Sequence, residues 1–255
     1  MGDTEQRQVK TAKRVFDIIN IIQRLEEPRL VDIAEEIHLS KSTVHHYLTT
    51  LMEMEYVQKT ENTYQLGLKF LDHGIHAKNQ YLIVGPGEEA IRDLADATGE
   101  IAWVAVAEQG KIVHVSKAMS DDAVQTLGRV GGRHPMHYLA SGKAILSQLP
   151  PERVDEIIDS VGMASMTPST ITDRETLLEE LEAIRERGYA LNDEEATPAT
   201  RAIGVAITVN NEVLGAITVS GPKFRLNDER IEDEILNVLL SRANELEVKL
   251  GYEIT

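Results

Sequence analysis

The chain has 255 residues, 42% of them hydrophobic, so it is long enough for two domains that each bury a core. It has no cysteine, which excludes disulfides, thiolate metal sites and cysteine nucleophiles. No run of about 20 apolar residues occurs and residues 1–9 are polar, so we expect neither a membrane span nor a signal peptide, and a cytoplasmic protein.

The net charge of -16 is unevenly distributed along the chain. Residues 1–80 hold 10 Lys+Arg and 12 Asp+Glu, whereas residues 81–255 hold 16 and 30. A nearly neutral amino-terminal part joined to an acidic body keeps nonspecific attraction to phosphate weak. One hypothesis for this balance is a halophilic archaeon as the source, because carboxylates keep a protein surface solvated at high salt.

The first predicted elements are two amphipathic helices. Residues 11–25 carry apolar side chains at helical spacing, and residues 31–37 do the same over a shorter span. Arg14, near the start of the first helix, is a candidate phosphate contact, although a solvated helix end explains it equally well. The second helix is short enough to act as a support for the segment that follows.

Residues 38–51 predict a turn followed by a third helix. Ser40 is a typical N-cap, and Val44, Tyr47, Leu48 and Leu51 recur at i, i+3, i+4 and i+7. The opposite face of this helix carries hydroxyls and imidazoles and no carboxylate before Glu53. Such a face suits contact with phosphate, although a helix-turn-helix also occurs as a packing or partner-binding unit.

The run LSKSTVHHYLTTL, followed by EYV and a short polar hairpin, resembles the winged helix-turn-helix of the IclR family of transcriptional regulators. The resemblance implies that the third helix enters the major groove and that the wing approaches the DNA backbone. The family often has Arg at the position of His46 and Gly at that of Glu55. The predicted DNA contacts are Arg14, Ser40, Lys41, Ser42, Thr43, His45, His46, Thr49 and Lys59.

Residues 66–82 return to helical spacing and predict a linker helix, which the resemblance implicates in dimer contacts. Residues 84–87, Val-Gly-Pro-Gly, break the pattern and predict a domain boundary. The predicted division is a DNA-binding domain at 1–67, a linker helix at 68–84 and an effector-binding domain at 85–255. His73 and His76 have metal-ligand spacing, but without a third ligand we favour solvent-facing histidines.

The remainder predicts an α+β domain, GAF/PAS-like with an antiparallel sheet. Helices are expected at residues 88–98, from Ala140 onward, up to Arg187 after a Thr172/Glu175 capping box, and after an Asn227 cap. β-rich runs at 101–106 and 111–115, and at 204–209 and 213–219, are separated by turn residues, with an irregular stretch at 116–135. Trp103, the only tryptophan, is expected to pack in the core.

The motifs HPMHYLASGKAIL, GYALNDEEA and AITVSGP are similar to the effector domain of the same family, so the resemblance covers residues 9–250. Ser141 and Gly142 begin a helix, whose free N–H groups suit an anion such as a carboxylate. Thr218 and Ser220 alternate on one strand and share a face. Together with this helix start, the resemblance implies the following effector-binding residues: His134, Met136, Ala140, Ser141, Gly142, Asn192, Thr200, Ala202, Thr218 and Ser220.

Catalysis is the weaker interpretation. A trio of Ser141 with His134 or His137 and a carboxylate arises by chance in a chain this long, and no G-x-S-x-G elbow is present. Gly142-Lys143 fails the phosphate-loop pattern, since Ala144 follows the lysine. We therefore expect no enzyme, no metal site and no cofactor.

The sequence thus predicts a DNA-binding regulator, a homodimer or homotetramer on a palindromic double-stranded operator. Its operator affinity is modulated by a small organic-acid-like metabolite bound in the second domain. The alternative is a ligand-sensing protein-interaction module without sequence-specific DNA binding.

Overall fold

The computed structural model describes residues 9–125 and 128–253, which divide into two compact units between residues 77 and 78. The polar stretch 1–8, for which no signal peptide is expected, lies outside the described residues. None of the helices in the described ranges combines the length and apolar character that a membrane crossing requires. Each unit has its own hydrophobic core.

The first unit is a winged helix-turn-helix, as predicted. Its elements are α1 (Lys10–Leu25), α2 (Leu30–Glu36), α3 (Lys41–Glu53) and the antiparallel hairpin β1 (Val57–Thr60) with β2 (Thr63–Leu66). The apolar stripes of the three helices meet in one core that includes Ile18, Ile33, Val44 and Leu48, all 0% exposed. Burial of these stripes against each other fixes the outward face of α3.

The linker helix is shorter than predicted, and the expected break at 84–87 is wrong. Helix α4 spans Lys69–Lys78 and has no buried residue, whereas α5 begins at Val84 and spans Val84–Thr98. Pro86 lies in the first turn of α5, where its missing N–H costs nothing because helix starts leave these groups unpaired. Gly87 is buried against the side chain of Val104, so the glycine serves close packing within the helix.

The second unit contains an antiparallel sheet, as predicted, and this sheet has six strands among the described residues. Its strands are β3 (Ile101–Glu108), β4 (Lys111–Met119), β5 (Arg133–Pro135), β6 (Ala190–Asp193), β7 (Thr200–Val209) and β8 (Glu212–Pro222). Their order across the sheet is β5-β4-β3-β8-β7-β6. The turns of two hairpins have left-handed residues, Gln109-Gly110 and Asn210-Asn211, which suits the type I′ geometry of short hairpins. The stretch 116–135 is less irregular than expected, because its first residues belong to β4 and its last three form β5.

Helices cover both faces of this sheet, which explains why β3 is buried on both sides. One face packs against α5 and the carboxy-terminal helix, which comprises α9 (Asp228–Arg230), a π turn (Ile231–Ile235) and α10 (Leu236–Glu253). The other face packs against α6 (Ala140–Ser147), α7 (Pro151–Val161) and α8 (Arg174–Arg187). The sheet therefore separates two hydrophobic cores.

The helix caps agree with the sequence in two of three positions. Ser40 accepts from the N–H of Thr43, and Asn227 accepts from the N–H of Arg230. The expected capping box of Thr172 with Glu175 is wrong, since Asp173 caps α8 by accepting from the N–H of Thr176 at 2.9 Å. A carboxylate both accepts this bond and favours the positive end of the helix.

Candidate nucleic-acid interface and ligand cavity

Helix α3 presents a polar outward face that is supported from behind. Its buried side consists of Val44, Leu48 and Leu51, whereas Lys41, Ser42, His45 and His46 are exposed. The two imidazole rings lie edge to face with centroids 6.3 Å apart. The face is free of carboxylates before Glu53, so it is able to approach phosphate without repulsion.

Three of the predicted DNA-contacting hydroxyls are engaged within the helix itself. The oxygens of Ser40 and Thr43 are 2.8 Å apart at the N-cap, and the Thr49 hydroxyl donates to the carbonyl of His45 at 2.9 Å. The Thr49 hydrogen and one of the two hydrogens of the Ser40–Thr43 pair are therefore used locally, so these hydroxyls have fewer donors left for a partner. The sequence could not separate these capping and back-bonding hydroxyls from free ones.

The two remaining predicted contacts are on other elements of the first unit. Arg14 is exposed on α1, and Lys59 is exposed on β1 of the wing with its Nζ 5.7 Å from the centroid of the Tyr64 ring. Both are cations available to a phosphate backbone.

The possible metal pair of His73 and His76 is not formed as a metal site. His73 has its Nε2 2.7 Å from the Tyr56 hydroxyl. Within the described ranges, no cluster of three or more His, Asp and Glu is arranged to hold a metal ion.

The end of α3 is held in an unusual backbone conformation. Glu55 has φ +65°, the left-handed conformation for which the family's glycine would be suited. A Cβ on Gly67 would lie 2.1 Å from the Glu55 carbonyl oxygen, so the chain that leaves the wing packs directly against this turn. The close approach fixes the exit of α3, at a cost of about 1–2 kcal/mol for the left-handed glutamate.

A cavity of about 550 Å³ lies on the α6 side of the sheet in the second unit. Eight of the ten predicted effector-binding residues line it: His134, Ala140, Ser141, Asn192, Thr200, Ala202, Thr218 and Ser220. Strand pairing brings these residues together, because Ala202 pairs with Ser220 and with Asn192 on neighbouring strands. Side chains at alternate positions of β8 then share the cavity face.

The other two predicted residues, Met136 and Gly142, do not line the cavity. A Cβ on Gly142 would lie 2.1 Å from the carbonyl oxygen of Met136, so these two backbones are packed against each other. The Met136 side chain is 2% exposed and belongs to the core beneath α6. Both residues were assigned to the cavity because they neighbour lining residues in the motif, but their packing places them outside its wall.

The start of α6 forms part of the cavity wall. The first N–H groups of this helix have no partner within it, and Leu139 provides no side-chain cap. Gly204 of β7 allows the close approach, because a Cβ there would lie 3.2 Å from the Ala140 carbonyl carbon and 3.3 Å from the Ser141 nitrogen. Free N–H groups and the positive end of a helix favour an anion at this place.

Aromatic rings form another part of the wall, which the sequence analysis missed. Trp103 is buried, as expected, but it also lines the cavity and donates from Nε1 to the Ser220 hydroxyl at 3.0 Å. Its ring centroid lies 4.8 Å from that of His114, which lies 5.7 Å from that of His134. Tyr138 continues the series through its hydroxyl, 3.3 Å from Nδ1 of His134.

Burial keeps these imidazoles uncharged at neutral pH. Desolvation, together with the neighbouring His134, lowers the pKa of His114 from 6.5 to about 4. Burial and the nearby Arg129 likewise lower the pKa of His134, and burial raises the pKa of the Tyr138 hydroxyl. The aromatic wall therefore contributes rings and hydrogen-bonding groups without charge.

Among the described residues that line the cavity there are three arginines and no aspartate or glutamate. Arg133 pairs with Glu108, and Arg201 pairs with Asp193 at 2.8 Å. Arg129 has no ion-pair or hydrogen-bond partner for its guanidinium within the described part of the chain. The cavity wall thus offers one uncompensated cation in addition to the helix start.

The lining residues that the sequence analysis missed come from strands and loops distant in the chain: Trp103, His114, Gly128, Arg129, Gly132, Arg133, Tyr138, Leu139, Met166, Ala196, Thr197 and Arg201. Tyr138 and Leu139 lie within the motif HPMHYLASG, which was the available signal for these two.

The possible catalytic trio does not assemble around Ser141. His137 has its Nε2 3.1 Å from the Ala164 carbonyl, and His134 faces the Tyr138 hydroxyl. No hydrogen bond joins either imidazole to Ser141 among the described residues, so a nucleophile with an adjacent base is not formed.

Comparisons with known proteins cover nearly the whole chain. The family described as IclR helix-turn-helix domain matches residues 11–61, and the family described as Bacterial transcriptional regulator IclR C-terminal matches residues 82–248. A probable HTH-type transcriptional regulator, ArcR of Halobacterium salinarum, is 30% identical over 96% of this chain and 95% of its own length.

Solved structures share the fold. The crystal structure of the Thermotoga maritima IclR superposes with a TM-score of 0.81 at 29% identity, over 96% of this chain and 100% of that one. An IclR homologue from Microbacterium hydrocarbonoxydans, crystallised with 4-hydroxybenzoate, gives a TM-score of 0.77 at 21% identity, over 94% and 98%.

Proposed function

The chain belongs to the IclR family of DNA-binding transcriptional regulators with a carboxy-terminal effector domain, and from this premise we propose a specific division of labour. In this proposal, the outward face of α3 reads an operator in the cytoplasm, and the cavity on the sheet binds a carboxylate effector. The protein acts as a regulator and not as an enzyme.

The observation that carries the effector proposal is the charge of the cavity wall. The described lining contains no acidic side chain, although the chain has 42 Asp and Glu residues. An anion in the cavity would meet Arg129 and the start of α6 and would face no like charge. Because the other two arginines already pair with carboxylates, we propose an effector with a single carboxylate.

The remaining wall suits a small, partly apolar body. A volume of about 550 Å³ is within the usual range for small-molecule sites. Trp103, His114 and Tyr138 provide rings for stacking, and the hydroxyls of Thr218 and Ser220 provide polar contacts. The homologue crystallised with 4-hydroxybenzoate suggests aromatic monocarboxylates as the first probes.

The only tryptophan of the chain lines this cavity, so its fluorescence reports on binding there. We expect at least one of acetate, pyruvate, benzoate and 4-hydroxybenzoate to change the emission of Trp103, and the corresponding neutral amide to act far more weakly. Arg129→Gln should weaken binding of the active carboxylate about tenfold or more, since it removes a charge-assisted contact. Arg153→Gln, on the exposed surface of α7, is the matched control. Equal responses to the acid and its amide would contradict an anion site.

The DNA proposal is supported by the exposure of Lys41, His45 and His46 on a carboxylate-free face. His45→Ala should reduce discrimination between operator and random DNA in a mobility-shift assay, because base-edge contacts specify sequence. The matched control is His76→Ala, an exposed histidine of α4. If the His45 variant discriminates as well as the wild type, α3 does not read the operator in this way.

We also propose that the protein acts as a homodimer on a palindromic operator. Leu68, Leu71 and Ile75 are 77%, 57% and 48% exposed and are spaced along the region of α4. Contiguous exposed apolar residues of this kind are typical of interfaces. Leu71→Glu should shift the mass measured by light scattering toward the monomer, and an unchanged oligomer would place the interface elsewhere.

A further inference from the structure

Lys143, in the Gly142-Lys143 pair that fails as a phosphate loop, is one of the most buried side chains of the second unit. It is 1% exposed, which is rare for a lysine unless it is paired. Its Nζ lies 2.6 Å from Oε1 of Glu195 and 3.3 Å from Oε1 of Glu180. The Glu195 side chain is itself 8% exposed, so the shorter contact is a buried ion pair between residues 52 positions apart.

We infer that Lys143 is a positioning residue for the cavity, which holds the connection 194–199 in place through Glu195. The inference rests on the proposed effector-binding role of the cavity. The connection joins β6 to β7, and its residues Ala196 and Thr197 line the cavity. Helix α6, which carries Lys143, contributes Ala140 and Ser141 to the same cavity.

The connection has a backbone that needs outside support. Glu194 and Ala199 have φ +62° and +59°, a left-handed conformation that is costly for residues with a side chain. Such residues persist only where the surrounding structure determines them. The outer anchor is Lys223, which pairs with Glu194 and donates its backbone N–H to the carbonyl of Ala199. The inner anchor is Glu195.

Three parts of the cavity wall converge on Glu195. Its backbone N–H donates to Oδ1 of Asn192 at 2.9 Å, and its carbonyl accepts from the Thr170 hydroxyl at 2.7 Å. The same Thr170 oxygen accepts from the N–H of Met166 at 3.0 Å. Asn192 and Met166 both line the cavity. The side chain of Glu195 adds the link to Lys143 and thereby to the start of α6.

Stability alone does not account for this pair. Burial raises the pKa of the Glu195 carboxyl, and its Oε2 has no hydrogen-bond partner among the described residues. Buried ion pairs are often replaceable by apolar side chains of similar size without loss of stability. The pair instead supplies a directed contact, which an apolar pair would not, and the geometry of the cavity wall depends on direction.

The decisive variant replaces both partners, Lys143→Met with Glu195→Met, in the full chain. We expect thermal stability near that of the wild type, because no buried charge is left unpaired. Amide hydrogen exchange in residues 192–200 should be faster by about tenfold or more, with no change in β3. Affinity for whichever carboxylate of the panel binds the wild type most tightly should fall by a similar factor, as measured by Trp103 fluorescence.

The matched control is Arg153→Met with Glu156→Met, an exposed ion pair on α7 that should change none of these measurements. Glu195→Gln serves as a second variant if the double variant unfolds, since its amide oxygen still accepts from Lys143. This variant should fold, but the bond to its neutral amide is weaker than the bond to the carboxylate, so exchange in residues 192–200 should still be faster than in the wild type.

Wild-type exchange in residues 192–200, in either variant that folds, would overturn the positioning role. Faster exchange with unchanged affinity would overturn it too. The exchange measurement requires no ligand, so it remains decisive if no carboxylate binds the wild type, an outcome that would refute only the proposed effector.

Discussion

Protonation of His114 should control how strongly acid destabilises the second unit. The folded pKa of about 4 lies below the ordinary value of 6.5, so between these values the unfolded chain binds more protons than the folded one. Stability from this residue is therefore complete above about pH 6.5 and is lost as the pH falls toward 4. The full difference corresponds to about 3 kcal/mol of unfolding free energy, most of which is lost by pH 4.5.

The measurement is urea unfolding at pH 7 and pH 4.5, followed by the fluorescence of Trp103, which reports on the unit that contains His114. His114→Phe keeps a ring beside Trp103 and does not titrate, so between the two pH values its unfolding free energy should fall by about 2 kcal/mol less than that of the wild type. His76→Phe, in the first unit, is the control and should behave as the wild type in this assay. If the two proteins lose the same unfolding free energy between the two pH values, burial does not suppress the protonation of His114.

Three further changes test the remaining contacts. Gly204→Ala would place a Cβ 2.7 Å from Cγ2 of Thr218 and 3.2 Å from the Ala140 carbonyl carbon of α6. It should lower the unfolding free energy in urea by about 1–3 kcal/mol and weaken carboxylate binding. A variant unchanged in both respects would contradict the close approach of α6 to β7. Asp173→Ala removes the cap that accepts from the N–H of Thr176 and should cost about 1 kcal/mol, a loss that would be absent if another group capped α8. Lys41→Ala should reduce the slope of log DNA affinity against log salt by about 0.9, and an unchanged slope in a salt series of mobility shifts would remove Lys41 from the phosphate contacts.

The winged helix-turn-helix was predictable because its signals are local. The spacing of Val44, Leu48 and Leu51 determines which side of α3 is buried, and Ser40 marks its start. The hairpin turn at Asn210-Asn211 is local in the same sense, since it depends on residues that tolerate a left-handed backbone. The predicted helix boundary failed at Gly85-Pro86-Gly87, because glycine and proline are compatible both with the interruption of a helix and with its first turn. Here they lie in the first turn of α5.

The cavity was only partly predictable. Thr218 and Ser220 share a face because side chains alternate along a strand, which is visible in the sequence. Trp103 joins them because β3 pairs with β8, so that Trp103 lies beside Thr218 across the sheet. That pairing connects residues more than a hundred positions apart, and no local pattern encodes it.

The sequence by itself determined the two-domain organisation, the α+β class, the carboxylate-free face of α3 and the strand alternation that points hydroxyls to one side. These depend on residue types at short spacing, where the periodicity of helix or strand decides orientation. Only the tertiary structure decided which charges remain unpaired and which segments converge. Arg129 has no carboxylate partner among the described residues, burial keeps the His114 imidazole neutral, and Lys143 pairs with Glu195. Burial and pairing are properties of the packed chain, because both depend on neighbours that the sheet order and the helix layers bring together.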